Sequence, residues 1–298
     1  MTMYLSEITL GEIIPIVNLL FTQINNPDSN INIPLTIKTN SNLTEDVSDL
    51  NGIAIPAMYE AKINKNTSSL HKIIEHATKN IGNENNMLIV NKFIELSQYP
   101  QNSPQQYLLM SNLYIALSEN IFSKLNQINQ YNWISDKIVE QCHSNLEKHI
   151  DKEAVYEQII VDNNKNYFTL YHDVYGQINI SGRIDVVDNT TLWELKCVSS
   201  LTIEHLLQLI IYSWLWEKTM IGTYGGKKYK ILNIRTNEVR ELKYQEHLVN
   251  QIIELIFINK CDPKFKNDDD EFIDKCVKTH KNHLFCKNDI LSMFDIEE

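Results

Sequence analysis

Residues 182–212 read GRIDVVDNTTLWELKCVSSLTIEHLLQLIIY, and the fold can be worked outward from this stretch. Ile184, Val186 and Val187 precede the polar trio Asp188-Asn189-Thr190, and Leu192, Trp193 and Leu195 follow it. β-branched and large apolar residues on both sides of such a trio predict two strands, 177–187 and 191–197, joined by a hairpin turn. Ser200-Leu201-Thr202 then starts a helix over 202–218. Upstream, 154–161 and 166–175 read as two more strands around the turn Asp162-Asn163-Asn164-Lys165. Downstream, glycines 222, 225 and 226 mark a loop before strands over 228–235 and 238–242 and a helix over 245–258.

The first 150 residues have a different texture. Residues 8–21 are apolar but contain Gly11 and Pro15, which predicts a kinked or broken helix. Residues 22–52 are dense in Asn, Ser, Asp and Pro and read as a long surface excursion. Helices are expected over 55–62, 68–79, 86–98, 105–128 and 132–149. The order predicts an α/β (α+β) chain: a helical part over 1–150, a core over 151–260 with a central mixed sheet flanked by helices, and a charged segment over 261–298.

Within the hairpin, Asp185, Glu194 and Lys196 are ionisable residues set among apolar ones. Side chains two apart on a strand share a face, so Glu194 and Lys196 project together and Leu195 faces the other way. Two carboxylates at one end of a hairpin repel unless a cation lies between them, and oxygen ligands of this kind suit Mg²⁺ or Mn²⁺. The Leu195 carbonyl is a further candidate ligand, and Lys196 is placed to offset charge on a reacting phosphate. The competing interpretation is a solvated hairpin face carrying an ordinary salt bridge.

Gly182-Arg183-Ile184-Asp185, Trp193-Glu194-Leu195-Lys196 and Gln208-Leu209-Ile210-Ile211-Tyr212, in this order, resemble the PD-(D/E)XK nuclease superfamily, in its RecB-like, Cas4-like and lambda-type exonuclease group. The resemblance covers about 154–218 and extends to about 258. It implies a restriction-endonuclease-like core and a metal-dependent phosphodiesterase. It further implies a motif Asp at Asp185 after a Gly-x-x-Asp turn, a Glu-x-Lys at 194–196, and Gln208 and Tyr212 positioning the DNA strand or the lysine. Where the family often has Asp-x-Lys-Thr, this chain has Glu194, Lys196 and Cys197, the last expected to be a buried small residue. An upstream acid or histidine commonly completes the site in the family. Glu60 is preferred here, Glu140 and His143 are the other helical candidates, and Glu157 on the first strand is a further metal candidate. Some relatives hold an iron–sulfur cluster, but the wide spacing of Cys142, Cys261, Cys276 and Cys286 argues against one.

Arg183, Lys227 and Lys228 are the nucleic-acid contacts proposed from sequence, against a solvated lysine patch for the last two. Trp214 and Trp216 lie two apart on a helix and cannot share a face, so at least one is core.

The chain has 298 residues, 43% hydrophobic and 22% charged, with a formal charge of −11. This excludes wholesale disorder and a basic DNA-coating protein, but not an enzyme with acidic metal ligands. Five cysteines without tight pairing, no apolar run of bilayer length and an acidic N-terminus predict a cytoplasmic protein without a membrane partner. The Asn-, Ile- and Lys-rich style resembles proteins of giant amoeba-infecting DNA viruses, for which a viral factory is the expected setting. The expected function is a DNA exonuclease of repair, recombination or replication. A structure-specific or nicking endonuclease and a catalytically inactive DNA-binding protein of the same fold are the alternatives. No phosphate-binding Gly-x-x-x-x-Gly-Lys motif is present, so a helicase or recombination partner would be a separate chain. The sequence leaves the oligomeric state open.

Overall fold

The computed structural model describes residues 7–39, 42–65, 67–80, 87–119, 122–160, 168–172, 176–180, 182–219 and 226–261. In chain order the elements are α1 (Glu7–Leu20), β1 (Phe21–Gln23), β2 (Thr36–Lys38), β3 (Thr44–Asp46), α2 (Ser48–Ile63), α3 (Ser69–Asn80) and α4 (Met87–Leu96). There follow α5 (Pro104–Glu119), α6 (Ser123–Gln127), α7 (Asp136–Glu147), β4 (Val155–Ile160), β5 (Phe168–His172) and β6 (Gly176–Ile180). The last are β7 (Gly182–Val187), β8 (Thr191–Lys196), α8 (Ile203–Thr219), β9 (Lys228–Asn233), β10 (Glu238–Leu242) and α9 (Glu246–Cys261).

This is a mixed α/β fold. A six-stranded sheet runs β1-β10-β9-β8-β7-β4. Its β8–β9 pair is parallel and its other pairs are antiparallel. A parallel pair needs a crossover, and α8 lies in the connection between β8 and β9. Contacts group the chain into two units, Val17–Glu246 and the remainder. The larger unit contains every described strand, and the change of texture near residue 150 falls inside it. The smaller unit's described residues are helical and are tied by Thr9 Oγ1 donating to Asn259 Oδ1 at 3.0 Å.

The sheet is covered on both faces, which sets the environment of the site. Trp193, Leu195 and Cys197 join Val186 and Tyr156 in one apolar core with Tyr59 of α2, Leu108 and Leu109 of α5 and Leu146 of α7. Helix α8 packs against β4, β7, β8 and β9. Residues 191–195 are all buried as a result, although the strand carries a Glu. Among the described residues no helix is long and apolar enough to cross a membrane.

Several local expectations are revised. Helix α1 runs unbroken through Gly11 and Pro15. The stretch 22–52 is no simple surface excursion: Ile31, Ile33 and Val47 are buried, and Ile31 N–H donates to the Arg235 carbonyl at 3.0 Å. Isolated apolar residues between polar ones give no period, so their burial was invisible to pattern analysis. The expected 105–128 helix is two, α5 and α6, and the expected strand over 177–187 is also two. Of these, β6 pairs with β5 in a separate hairpin while β7 enters the main sheet. Both Trp214 and Trp216 are buried. Cys276 and Cys286, like the charged segment after residue 261, lie outside the described residues.

Candidate active site

The hairpin geometry begins at its turn. Asp188 Oδ1 accepts from Thr190 N–H at 2.8 Å and Thr191 N–H at 2.7 Å, and Asp188 Oδ2 accepts from Trp193 Nε1–H at 2.9 Å. Lys227 Nζ donates to the carbonyls of Asp188 and Asn189. The ladder from this turn pairs Val187 with Leu192 and Val186 with Trp193, then stops. The next two residues across are Asp185 and Glu194. Here the strands are bridged by a side chain: Asp185 Oδ2 accepts Leu195 N–H at 2.7 Å.

The far end of β8 is pinned through its backbone. Ile234 N–H donates to the Lys196 carbonyl at 2.7 Å, and Asn233 Nδ2 donates to the Val198 carbonyl at 3.0 Å. From this fixed base Lys196 Nζ reaches Glu194 Oε1 at 2.6 Å and Gln208 Oε1 at 2.8 Å, and Gln208 Nε2 donates to Tyr212 Oη at 3.1 Å. The predicted Asp185, Glu194, Lys196, Gln208 and Tyr212 therefore form one connected group under α8.

Glu194 is 0% exposed, which removes the solvated-face interpretation of the hairpin. Its Oε2 is buried with no hydrogen-bond partner. An orphan carboxylate oxygen in such a place is costly and marks a position where a ligand cation fits. Burial, with Asp185 beside it, pushes the Glu194 carboxyl up to about 8 despite Lys196. Burial raises the Asp185 carboxyl too, against the opposing pull of Lys196 and the Leu195 N–H. Burial pulls the Lys196 ammonium down, yet Glu194 and Asp185 outweigh it and hold lysine above its ordinary value. In the structure the cation paired with Glu194 is thus Lys196 itself. Among the described residues no group of three or more His, Cys, Asp and Glu side chains is arranged to hold a metal ion.

A pH dependence of stability follows. The folded state keeps a proton on Glu194 that the unfolded chain releases near its ordinary value of 4.5. Its contribution is therefore full below pH 4.5 and is lost as pH rises towards about 8. In EDTA, the urea midpoint of wild type should fall between pH 6 and 8.5, and Glu194→Gln should flatten that fall.

Glu157 stands opposite Asp185. The β4–β7 register is unchanged on either side of it, Tyr156 facing Val186 and Gln158 facing Ile184, so it is not an inserted bulge residue. Its φ is nonetheless 55°, in the left-handed region that costs an L-residue about 1–2 kcal/mol. Burial and then Asp185 push its carboxyl up to about 7, and Arg183 Nη1 lies 3.5 Å from its Oε2. Glu157→Gly removes both the left-handed strain and the half-buried acid. It should raise unfolding free energy by about 1 kcal/mol, as denaturant titration would show.

Arg183 shares the strand parity of Asp185, and the constant register leaves no bulge to divert it. Its Nη1 donates to Tyr114 Oη at 2.8 Å, with the guanidinium 5.5 Å from that ring centroid. Tyr114 reaches the site from α5 and had no local signal in the sequence. The Gly-x-x-Asp segment is strand rather than turn, and Gly182 serves close approach. A Cβ there would lie 3.2 Å from both Leu215 Cδ1 and Tyr212 Cε1. Gly182→Ala should displace Tyr212 and with it Gln208, costing about 1–3 kcal/mol of stability. Thermal melting would check it.

Of the other proposed residues, Glu60 is near enough for its charge to help raise the Glu157 carboxyl, and its two oxygens accept from Ser69 N–H at 2.7 Å and Oγ at 2.8 Å at the start of α3. Glu140 is exposed on α7. His143 packs at a tilt against Tyr59, ring centroids 5.4 Å apart, and lines a cavity of about 320 Å³ in the helical layer, with Lys62, Tyr107 and Asp136. Lys228 pairs with Thr191, five residues and roughly 17 Å along the strand from Lys196, so it and Lys227 stand at the turn end of the hairpin. Cys142 and Cys197 are buried in the apolar core as free thiols, and burial pushes Cys197 up to about 12. No family model, no curated protein and no solved structure matches this chain.

Proposed function

We propose that the protein is a metal-dependent deoxyribonuclease of the PD-(D/E)XK type, acting as an exonuclease in DNA repair, recombination or replication. The observation that carries this proposal is Glu194: fully buried, one oxygen on Lys196, the other without a partner, beside a second carboxylate at the point where the strand ladder opens. A decayed nuclease fold has no reason to keep such a group unpaired in its interior.

Asp185 and Glu194, with the Leu195 carbonyl, are the residues that would hold Mg²⁺ or Mn²⁺; Glu157 stands opposite Asp185 but is not gathered with the other two acids into a three-residue metal group. When bound, the ion supplies Lewis-acid polarisation of the phosphoryl group and an acidified water. The chain's own residues do the rest. Lys196 has three N–H donors, of which Glu194 and Gln208 take two, leaving one for a phosphoryl oxygen as negative charge builds on it. Gln208 and Tyr212 fix the direction of that ammonium, and Arg183, braced by Tyr114, presents a fork suited to a neighbouring phosphate. Hydrolysis joins a water oxygen to phosphorus and breaks one phosphodiester P–O bond, the leaving oxygen taking up a proton.

The substrate class is tested with end-labelled linear double-stranded, linear single-stranded and covalently closed circular DNA, in Mg²⁺, Mn²⁺ or EDTA. Loss of linear DNA with circles spared supports the exonuclease. Cutting of circles makes it an endonuclease, and binding without cleavage of any of these, or of RNA and branched substrates, makes it an inactive DNA-binding protein. In this setting a helicase or recombination partner would be a separate chain, and the cytoplasm or a viral factory the place of action.

A further inference from the structure

His205 lies three residues before Gln208 and seven before Tyr212 on α8, so the three side chains form one stripe on the helix. Its Nδ1 accepts Thr202 N–H at 3.0 Å and stands 3.1 Å from Thr202 Oγ1. An imidazole whose Nδ1 is committed as an acceptor must carry its proton on Nε2 when neutral. Nε2 makes no hydrogen bond among the described residues, and His205 is half-buried rather than sealed in the core. The chain thus fixes the ring's tautomer by a backbone contact and leaves one N–H donor unspent, about 4.5 Å along the helix axis from Gln208.

We propose that His205 is a DNA-contacting residue whose Nε2–H donates to a phosphodiester oxygen next to the one that Lys196 serves. This rests on the nuclease function proposed above and adds a residue to it. Burial and the Lys196 ammonium push the imidazole down to about 4, so the ring is neutral at physiological pH. It binds phosphate as a fixed dipolar donor rather than as a cation, and adds no charge beside Lys196. Glu204, its charged neighbour on the helix, is exposed and held low chiefly by Thr202.

The test separates the two ring nitrogens. His205→Asn offers an acceptor at the Nδ1 position, keeping the Thr202 contact, and lacks Nε2–H. His205→Gln offers an amide donor near the Nε2 position. Binding of a fluorescein-labelled single-stranded DNA oligonucleotide is followed by anisotropy in Ca²⁺, with hydrolysis in Mg²⁺ and thermal melting alongside. The expected result is a wild-type melting temperature for His205→Asn, a Kd and KM raised at least about tenfold, little change in kcat, and partial recovery in His205→Gln. Wild-type Kd and KM in His205→Asn would overturn the inference, as would a loss of binding that only tracks a fall in melting temperature across both variants. Wild type that cleaves DNA while His205→Asn binds normally removes this inference alone. Wild type that neither binds nor cleaves removes the nuclease proposal beneath it.

Discussion

Lys196→Ala is expected to slow the proposed hydrolysis sharply and to destabilise the protein by an amount that grows with pH. Losing the one donor aimed at developing charge costs about 10²- to 10³-fold in rate. The stability effect has a different origin. Glu194 is fully buried and its Oε1 depends on Lys196 at 2.6 Å. Below pH 7 the carboxyl keeps its proton, since it already titrates at about 8, and the variant should lose little. Above pH 8 the ionised carboxylate is left without a counter-charge, and breaking such a buried pair costs about 3–5 kcal/mol. Adding Glu194→Gln to Lys196→Ala should restore stability at high pH without restoring any hydrolysis. Urea unfolding of the two variants at pH 6 and pH 9 gives the comparison. A Lys196→Ala penalty independent of pH would mean that the pair is not the buried couple described.

Asp185→Asn should separate fold from chemistry more cleanly. Asp185 has a structural duty, accepting Leu195 N–H at 2.7 Å where the ladder stops, and an asparagine carbonyl can do the same. The variant also removes one of three neighbouring acids, which relieves Glu194 and Glu157. Its unfolding midpoint should therefore equal or exceed that of wild type. On the proposed function, activity should fall about 10³-fold, the several kcal/mol that an anionic ligand would contribute to holding a Lewis acid at the phosphate. Melting curves with added Mn²⁺ give a second readout: wild type should gain stability from the ion, and Asp185→Asn should gain much less.

Asp185, Glu194 and Lys196 were legible in the sequence because a strand alternates with period two and because charges stand out among Ile, Val, Leu and Trp. Gln208 and Tyr212 were picked out by the resemblance to the nuclease motif, and their spacing of four on a helix is consistent with it. The burial of Glu194 was not legible, since it depends on α8 crossing back over the sheet, a non-local event. For the same reason Tyr114, which arrives from α5, left no local trace, and Gly182 looked like a turn glycine rather than a contact point for Tyr212. The lysines at 227 and 228 were placed by composition, which carries no information on which end of a strand they occupy. The division of 177–187 into β6 and β7 escaped notice because both halves have strand character, and only their pairing partners differ. His205 shares the helix stripe of Gln208 and Tyr212, and its local contact with Thr202 supplied the missing signal.

The most direct measurement is hydrolysis of end-labelled linear double-stranded DNA by wild type and Asp185→Asn, each in Mg²⁺, Mn²⁺ and EDTA, at matched and verified folding. Loss of substrate by wild type only when the metal is present, with Asp185→Asn inactive throughout, is the result expected of a hairpin that holds the catalytic ion. Cleavage that persists in EDTA, or that proceeds equally in folded Asp185→Asn, would contradict it.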